Sequence, residues 1–290
     1  FPDRCYDVGI AESAAVDIAA GLARQGFKPA VCIYSTFLQR SFDQLFQEVS
    51  LQRLPVVFCI DRAGVVGDDG PTHHGLWDMG YCRMLPNLVL ISPANETEIR
   101  GALQYAFGAG QPVAIRYPRE KVPVDPKMLR LGSEPFETGR SIVVREGDSE
   151  VVVAALGPMV AESLQAAGRL AEEGIEISVV NVRFAKPIDP ALVDLFAQGK
   201  TVVTVEDHSR AGGFGEALLA AVCAGTEAEP ERSRSIGRAV LLAGDDVFVP
   251  MGKRSRQLDW MGVSAERIVE TVKKLIPAGA ISDRSSKETL

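Results

Sequence analysis

Apolar residues recur along this chain in two alternating rhythms. Residues 12–25 (ESAAVDIAAGLARQ) put Ala15, Val16, Ala19, Leu22 and Ala23 on one helical face, and Gly26 is a natural helix stop. Residues 30–34 (AVCIY) and 55–60 (PVVFCI) are apolar runs of strand length. Between them, Leu38, Phe42, Leu45, Phe46 and Val49 fall at helical spacing over 37–52. A Gly- and Asp-rich loop spans 61–80, and a strand (88–92), a helix (95–109) and a strand (112–117) follow. The strands are continuous apolar runs rather than alternating ones, so both faces are expected to be covered. Strand–helix–strand repetition of this kind predicts a parallel, doubly wound sheet.

Residues 120–140 carry three prolines and no apolar periodicity, which reads as an interdomain linker. The rhythm then restarts. Strands are predicted at 151–156, 175–182, 201–207 and 239–243, and helices at 159–173, from 190, at 214–224 and at 264–275. The expectation is an α/β chain of two doubly wound domains, 1–122 and 141–278. A linker at 123–140 joins them, and a frayed tail at 279–290 ends the chain.

Composition narrows the function classes. The 290 residues are 46% hydrophobic and 24% charged, as in globular proteins. A formal charge of -7 argues against a nucleic-acid partner, which calls for a basic surface. No apolar run approaches the roughly 18 to 20 residues that span a bilayer, so no membrane partner is expected. The start carries no signal-peptide pattern. The five cysteines form no CxxC pair, and Cys32 and Cys59 sit inside apolar runs, where Cys usually acts as a small hydrophobe. A reduced, intracellular setting is the simplest reading. The chain opens on Phe1 rather than Met, which reads as a fragment or a processed chain.

Five segments could carry chemistry. Gly9-Ile10-Ala11-Glu12 is expected to close a strand and open a helix, where ligand sites of open α/β sheets collect. Glu12 there is at least a first-turn acid favoured by the helix dipole. Residues 34–44 (YSTFLQRSFDQ) also follow a strand and open a helix. Ser35 and Thr36 suit a cap, Phe37 and Leu38 a core, and Arg40 a surface. Residues 61–78 place four glycines and the adjacent pair His73-His74 in a mobile or tightly turned loop. No third ligand stands at metal spacing, so no metal site is expected in this chain. Arg116 and Arg119 end an apolar strand. They are either surface charges or a phosphate site, to which a guanidinium fork is suited. Residues 206–215 (EDHSRAGGFG) precede a helix and read as a tight structural turn rather than an anion cradle.

In this order the strings resemble those of the 1-deoxy-D-xylulose-5-phosphate synthases, which are transketolase-like thiamine-diphosphate enzymes. The resemblance spans residues 1 to about 275 and is dense in the first domain. It implies a pyrimidine-binding domain followed by a transketolase C-terminal domain. It implies that Glu12 hydrogen-bonds a ring nitrogen of the cofactor's aminopyrimidine, promoting the imino tautomer that takes the thiazolium proton. Ile10 would be the wedge that holds the cofactor bent, and Phe37 would stack on the aminopyrimidine. Tyr34 and Arg40 would face cofactor or substrate, and Arg62 and Arg119 would take the phosphate of an aldehyde. Asp69 and His73 would lie near the reacting carbon or the cofactor's amino group. The catalytic candidates are thus Glu12 and His73. The cofactor-binding set is Ile10, Glu12, Phe37, Arg40 and Asp69, and the substrate set is Tyr34, Arg62 and Arg119. One departure bears on Arg119: Glu120 stands where the family usually has Gly.

The implied reaction condenses pyruvate with glyceraldehyde 3-phosphate, loses carbon dioxide, and feeds isoprenoid, thiamine and pyridoxal synthesis. The family's diphosphate and Mg2+ segment, Gly-Asp-Gly followed by paired Asn, is not found here; Gly67-Asp68-Asp69-Gly70 is not that motif. By the resemblance it belongs to a preceding N-terminal domain, a required partner, so the isolated chain should be inactive. A homodimer in the cytoplasm, or in the plastid stroma of a plant, is implied in the same way. Two alternatives remain. One is the β subunit of a 2-oxo acid dehydrogenase or the back half of a split transketolase. The other is a non-catalytic dimerisation scaffold.

Overall fold

The computed structural model describes residues 1–121, 134–228 and 237–276. In the first half, helices α1 (Glu12–Arg24), α2 (Ser35–Leu38), α3 (Phe42–Gln44), α4 (Asp78–Arg83) and α5 (Glu96–Gly108) surround four strands. These are β1 (Ala30–Tyr34), β2 (Val57–Asp61), β3 (Val89–Ile91) and β4 (Val113–Arg116), all parallel in the order β1–β2–β4–β3. Alternate residues of each strand face opposite layers. Phe58, Ile60, Leu90 and Ala114 join Val16, Ala19 and Ala23 of α1 in one cluster. Val57, Val89, Ile91, Val113 and Ile115 join Ala102 and Ala106 of α5 in another. The expected helix over 37–52 is instead a chain of short turns: α2, a 3-10 turn at Gln39–Ser41, α3 and a π turn at Leu45–Ser50.

The second half builds its own sheet from β5 (Ile142–Arg145), β6 (Val151–Ala155), β7 (Ser178–Asn181), β9 (Thr201–Ser209) and β10 (Ala239–Gly244). Its order is β10–β9–β6–β7–β5, and only β5 is antiparallel. The helices here are α6 (Met159–Glu172), α7 (Pro190–Ala197), α8 (Phe214–Ala228), α9 (Arg254–Trp260) and α10 (Ala265–Leu275). β8 (Phe184–Lys186) leaves this sheet and pairs antiparallel with β3, so the second half supplies the fifth strand of the first sheet. The apolar core likewise runs on from Val16, Phe58 and Met79 to Val152, Val180 and Phe214.

One expectation needs correction. No strand precedes Gly9: Tyr6 and Ile10 are exposed, and Asp7 merely accepts a hydrogen bond from the Gly9 amide at 2.9 Å. Tyr6 and Val8, flanking Asp7 close to Arg4, offer too little apolar surface to hold the segment against β1. Of the linker expected at 123–140, Phe136 and Gly139 are buried and the other residues described, 134, 135, 137, 138 and 140, are exposed. Phe136 is buried 5.8 Å from the Phe184 ring, with the Arg183 guanidinium 4.5 Å above it. The rest of that linker, and the tail at 279–290, lie outside the described residues. Among the described residues no helix is long and apolar enough to cross a membrane.

Candidate cofactor and substrate site

The C-terminal ends of β1, β2 and β4 converge, and the side chains there form one connected string of contacts. At one end is Glu12, in the first turn of α1, with its side chain 13% exposed. Its Oε1 accepts from Arg40 Nη1 at 3.0 Å, and Ser13 Oγ donates to the Arg40 carbonyl at 3.1 Å. The Arg40 guanidinium lies 4.7 Å over the Phe37 ring. Phe37 stacks on Tyr34 at 5.6 Å and meets the His73 ring edge-on at 5.4 Å. Arg62 reaches back across the sheet, with its guanidinium 4.1 Å over the Tyr34 ring and Nη2 donating to Tyr34 Oη at 3.0 Å. Asp69 closes the string by accepting from both Arg62 and Arg119.

Electrostatics follow from these contacts. The Arg119 hydrogen bond, helped by Arg62 and His73, holds the Asp69 carboxyl below the usual carboxylate range. A carboxylate therefore sits between the two guanidiniums that the sequence offers to a phosphate. Arg119 is 55% exposed and open to an incoming anion. Glu120, the departure from the family pattern, pairs with Arg254 Nε at 2.8 Å, so its charge is balanced next to Arg119. Thr72 Oγ1 meets His73 Nδ1 at 2.9 Å and fixes one face of that ring.

A cavity of about 820 Å³ opens beside Glu12, lined by Ile10, Glu12, Val31, Cys32, Tyr34, Phe37 and Arg40 among others. Ile10 borders it but is 91% exposed and packs on nothing. An aminopyrimidine suits the remaining lining: a flat ring can lie on Phe37, and Glu12 Oε2 has no protein partner among the described residues to compete with a ring nitrogen. Among those residues no cluster of three or more His, Cys, Asp or Glu side chains could hold a metal ion.

The glycine-rich loop is tightly turned, and the second half pins it. Gly64 and Gly75 exchange backbone hydrogen bonds at 2.7 and 2.8 Å. Gly64 has φ +79°, and a Cβ there would stand 2.0 Å from Asp207 Oδ2. Arg254 donates to the Val65 carbonyl at 2.7 Å, and Gln257 exchanges hydrogen bonds with Gly67. His74 is buried, accepts from the Val66 amide at 3.1 Å, and is held neutral by desolvation. The two adjacent histidines therefore divide: His73 faces the site and His74 locks the loop. Arg116 is likewise no surface charge. It is fully buried, pairs with Asp78 at 2.9 Å and donates to the Asp207 carbonyl at 3.2 Å. Sequence reasoning missed this buried group; the signal was an Arg inside an apolar strand with an Asp ahead of a helix. At residues 206–215, Glu206 takes the amides of Phe214 and Gly215 at 2.7 and 2.9 Å, so the chain's own carboxylate fills that helix start.

Comparison with known proteins gives the lineage. The family model "Transketolase, pyrimidine binding domain" matches residues 1–125, and "Transketolase, C-terminal domain" matches residues 139–268. The 1-deoxy-D-xylulose-5-phosphate synthase of Gloeobacter violaceus is 45% identical over 287 residues, which is 97% of this chain and 43% of that protein. The Aquifex aeolicus synthase is 41% identical over 285 residues, again 97% of this chain and 43% of that one. The chain thus spans less than half the length of these curated relatives. Among solved structures, a split-gene transketolase described as an inactive β4 tetramer superposes with TM-score 0.78 at 32% identity, covering 94% of this chain and 84% of that one. The Campylobacter jejuni transketolase shares the fold, with TM-score 0.73 at 21% identity over 92% of this chain and 39% of that one. This chain belongs to the transketolase family, as a pyrimidine-binding domain followed by a C-terminal domain, and its sequence groups with the 1-deoxy-D-xylulose-5-phosphate synthases.

Proposed function

We propose that this chain is the C-terminal part of a thiamine-diphosphate enzyme that condenses pyruvate with glyceraldehyde 3-phosphate, with loss of carbon dioxide. The observation that carries the reading is the unbroken string from Glu12 through Arg40, Phe37, Tyr34, Arg62 and Asp69 to Arg119. It places a carboxylate and an aromatic face at one end and two guanidiniums at the other. Those are the chemistries an aminopyrimidine and a phosphorylated aldehyde call for.

When bound, the cofactor would supply an electron sink for breaking and making carbon–carbon bonds. The residues do the rest. Glu12 holds a proton at the aminopyrimidine ring nitrogen, in a position mostly withdrawn from water. Phe37 gives that ring a flat wall. Arg62 and Arg119 bind the aldehyde's phosphate through charge-assisted hydrogen bonds, with Asp69 yielding its place between them. His73, steadied by Thr72 and Phe37, moves a proton near the reacting carbon. The diphosphate and its Mg2+ fall to the preceding N-terminal domain. A homodimer in the cytoplasm, or in the plastid stroma of a plant, completes the reading on family grounds.

The test is formation of deoxyxylulose phosphate from pyruvate and glyceraldehyde 3-phosphate with thiamine diphosphate and magnesium. It is run with the chain alone and with its N-terminal half supplied. Product only from the mixture supports the reading. No product from a folded, associated mixture rejects it. The likeness to a split-gene transketolase, at 32% identity and TM-score 0.78, favours one second reading, in which a ketose phosphate donor replaces pyruvate. Ketol transfer in the same mixture identifies it.

A further inference from the structure

The face of β1 away from α1 is left open, and two cysteines meet on it. Cys32 of β1 and Cys59 of β2 are register partners in adjacent parallel strands. Strand neighbours lie about 4.7 to 4.9 Å apart. That spacing is inside the range of roughly 4.4 to 6.8 Å over which paired Cα atoms accept a disulfide. Registered partners point their side chains to the same face of the sheet. Cys32 is exposed on the wall of the 820 Å³ cavity, whereas Cys59 is half-buried behind it. Sequence alone made both of them core hydrophobes; the structure overturns that for Cys32, because β1 is an edge strand that α5 does not reach.

We infer that Cys32 and Cys59 form a redox site, a dithiol that hydrogen peroxide closes reversibly to an intrachain disulfide. The geometry sorts the two sulfurs into roles. Cys32 is reachable from solvent, and the adjoining Cys59 sulfur lowers its thiol below the usual cysteine value, which favours the thiolate. The Cys32 thiolate attacks one peroxide oxygen. The O–O bond breaks, hydroxide leaves and takes a solvent proton, and Cys32 becomes a sulfenic acid. The Cys59 sulfur then attacks the Cys32 sulfur, the S–O bond breaks, and the hydroxyl leaves with the Cys59 proton as water. Two thiols lose two electrons and one peroxide becomes two waters.

The other cysteines are placed differently. Cys82 is fully buried, with its thiol pushed up by desolvation. Cys5 is exposed and also lines the cavity, so it is the competing partner for Cys32. The site also has a route to the rest of the molecule. Two positions further along β1 and β2 the register reaches Tyr34 and Asp61, and Arg62 follows directly. The inference does not depend on the synthase reading.

The test is chemical. Reduced protein is treated with equimolar hydrogen peroxide, free thiols are blocked with iodoacetamide, and a non-reducing digest is read by mass spectrometry. The expected result is a Cys32–Cys59 linked peptide pair in most chains and loss of two of the five alkylatable thiols, both reversed by dithiothreitol. In Cys59→Ser, Cys32 should stop at the sulfenic acid and be trapped by dimedone. A Cys5–Cys32 link, an intermolecular link, or Cys32 and Cys59 both still alkylated at doses that oxidise Cys5 and Cys223 would overturn the inference.

Discussion

Glu12 and Arg40, 28 positions apart, meet at 3.0 Å between Oε1 and Nη1 on the wall of a cavity of about 820 Å³ beside the first sheet. The pair is asymmetric: the carboxylate is mostly withdrawn, and the guanidinium is half in water. A pair with one exposed member contributes little to stability, about 1 kcal/mol or less. The contact therefore matters for where it holds the carboxylate rather than for how firmly it holds the fold.

Glu12→Gln separates the two roles. Turnover of the assembled enzyme should fall by roughly 10²–10⁴-fold, the usual size of a general acid–base contribution. The urea midpoint should stay within about 1 kcal/mol of the native value. Paired kinetics and unfolding curves on one preparation check both. Near-native turnover would remove Glu12 from the chemistry.

Arg119 carries a different expectation, because it is the more exposed of the two arginines on Asp69. Arg119→Ala should raise KM for glyceraldehyde 3-phosphate by roughly 10- to 100-fold, the worth of one charge-assisted hydrogen bond of about 1.5–3 kcal/mol. Turnover at saturation should change much less. Unphosphorylated glyceraldehyde is the control, and its KM should not move. An unchanged KM for the phosphorylated substrate would place the phosphate elsewhere.

The sequence was most legible where one interaction decides the outcome. Val113–Arg116 and Val151–Ala155 are buried on both faces, and continuous apolar runs of that length have few other solutions. β8 was not readable. Three residues carry no period, and Phe184–Lys186 becomes a strand only because β3 of the other half offers an edge. β5 is half-exposed and antiparallel, so it lacks the apolar signature of its neighbours. In the site, Glu12, Tyr34, Phe37, Arg40, Arg62, Asp69, His73 and Arg119 come together because each follows a strand end or caps a helix along one sheet edge. Ile10 borders the same cavity but is itself exposed. The division of labour between His73 and His74 depends on Val66 and Gln257, which no local pattern links to them.

Two buried groups on β9 and its exit should oppose each other in the pH dependence of stability. Desolvation pushes Glu206 up to about 7 and His208 down to about 4. Glu206 is therefore held neutral in the fold below about pH 7, and His208 above about pH 4. Between roughly pH 4.5 and 7 the folded chain binds more protons at Glu206 than the unfolded chain, so this group's contribution falls as pH rises. Between about 4 and 6.5 the unfolded chain binds more protons at His208, so that contribution rises with pH. The native protein should show a flattened profile across the overlap. Glu206→Gln removes the falling limb, so its stability relative to native should climb from pH 4.5 to 7. Urea midpoints at pH 4.5, 5.5 and 7 read this directly, and a constant difference between variant and native would refute it.

The last expectation concerns how the two halves are joined. Arg183 and Glu98 are both buried, with Nε and Oε1 2.7 Å apart, and Asn181 Nδ2 donates to the same oxygen at 2.8 Å. Glu98 Oε2 takes the Ala94 amide at 2.8 Å, so one carboxylate serves the start of α5, the end of β7 and the turn after it. Arg183→Met keeps most of the side-chain volume but leaves Glu98 charged and without its counter-ion. Loss of one partner from a buried pair costs about 3–5 kcal/mol. Arg183 also holds φ +59°, which Met would have to share, so backbone strain largely cancels in the comparison. Adding Glu98→Gln to the variant removes the orphaned charge while keeping an acceptor for Ala94, and it should recover roughly 1–3 kcal/mol. Failure of the double variant to recover would assign the loss to Arg183 packing over Phe136 and to its bonds to the carbonyls of residues 134 and 135. The join would then rest on the guanidinium's packing and backbone contacts rather than on the ion pair.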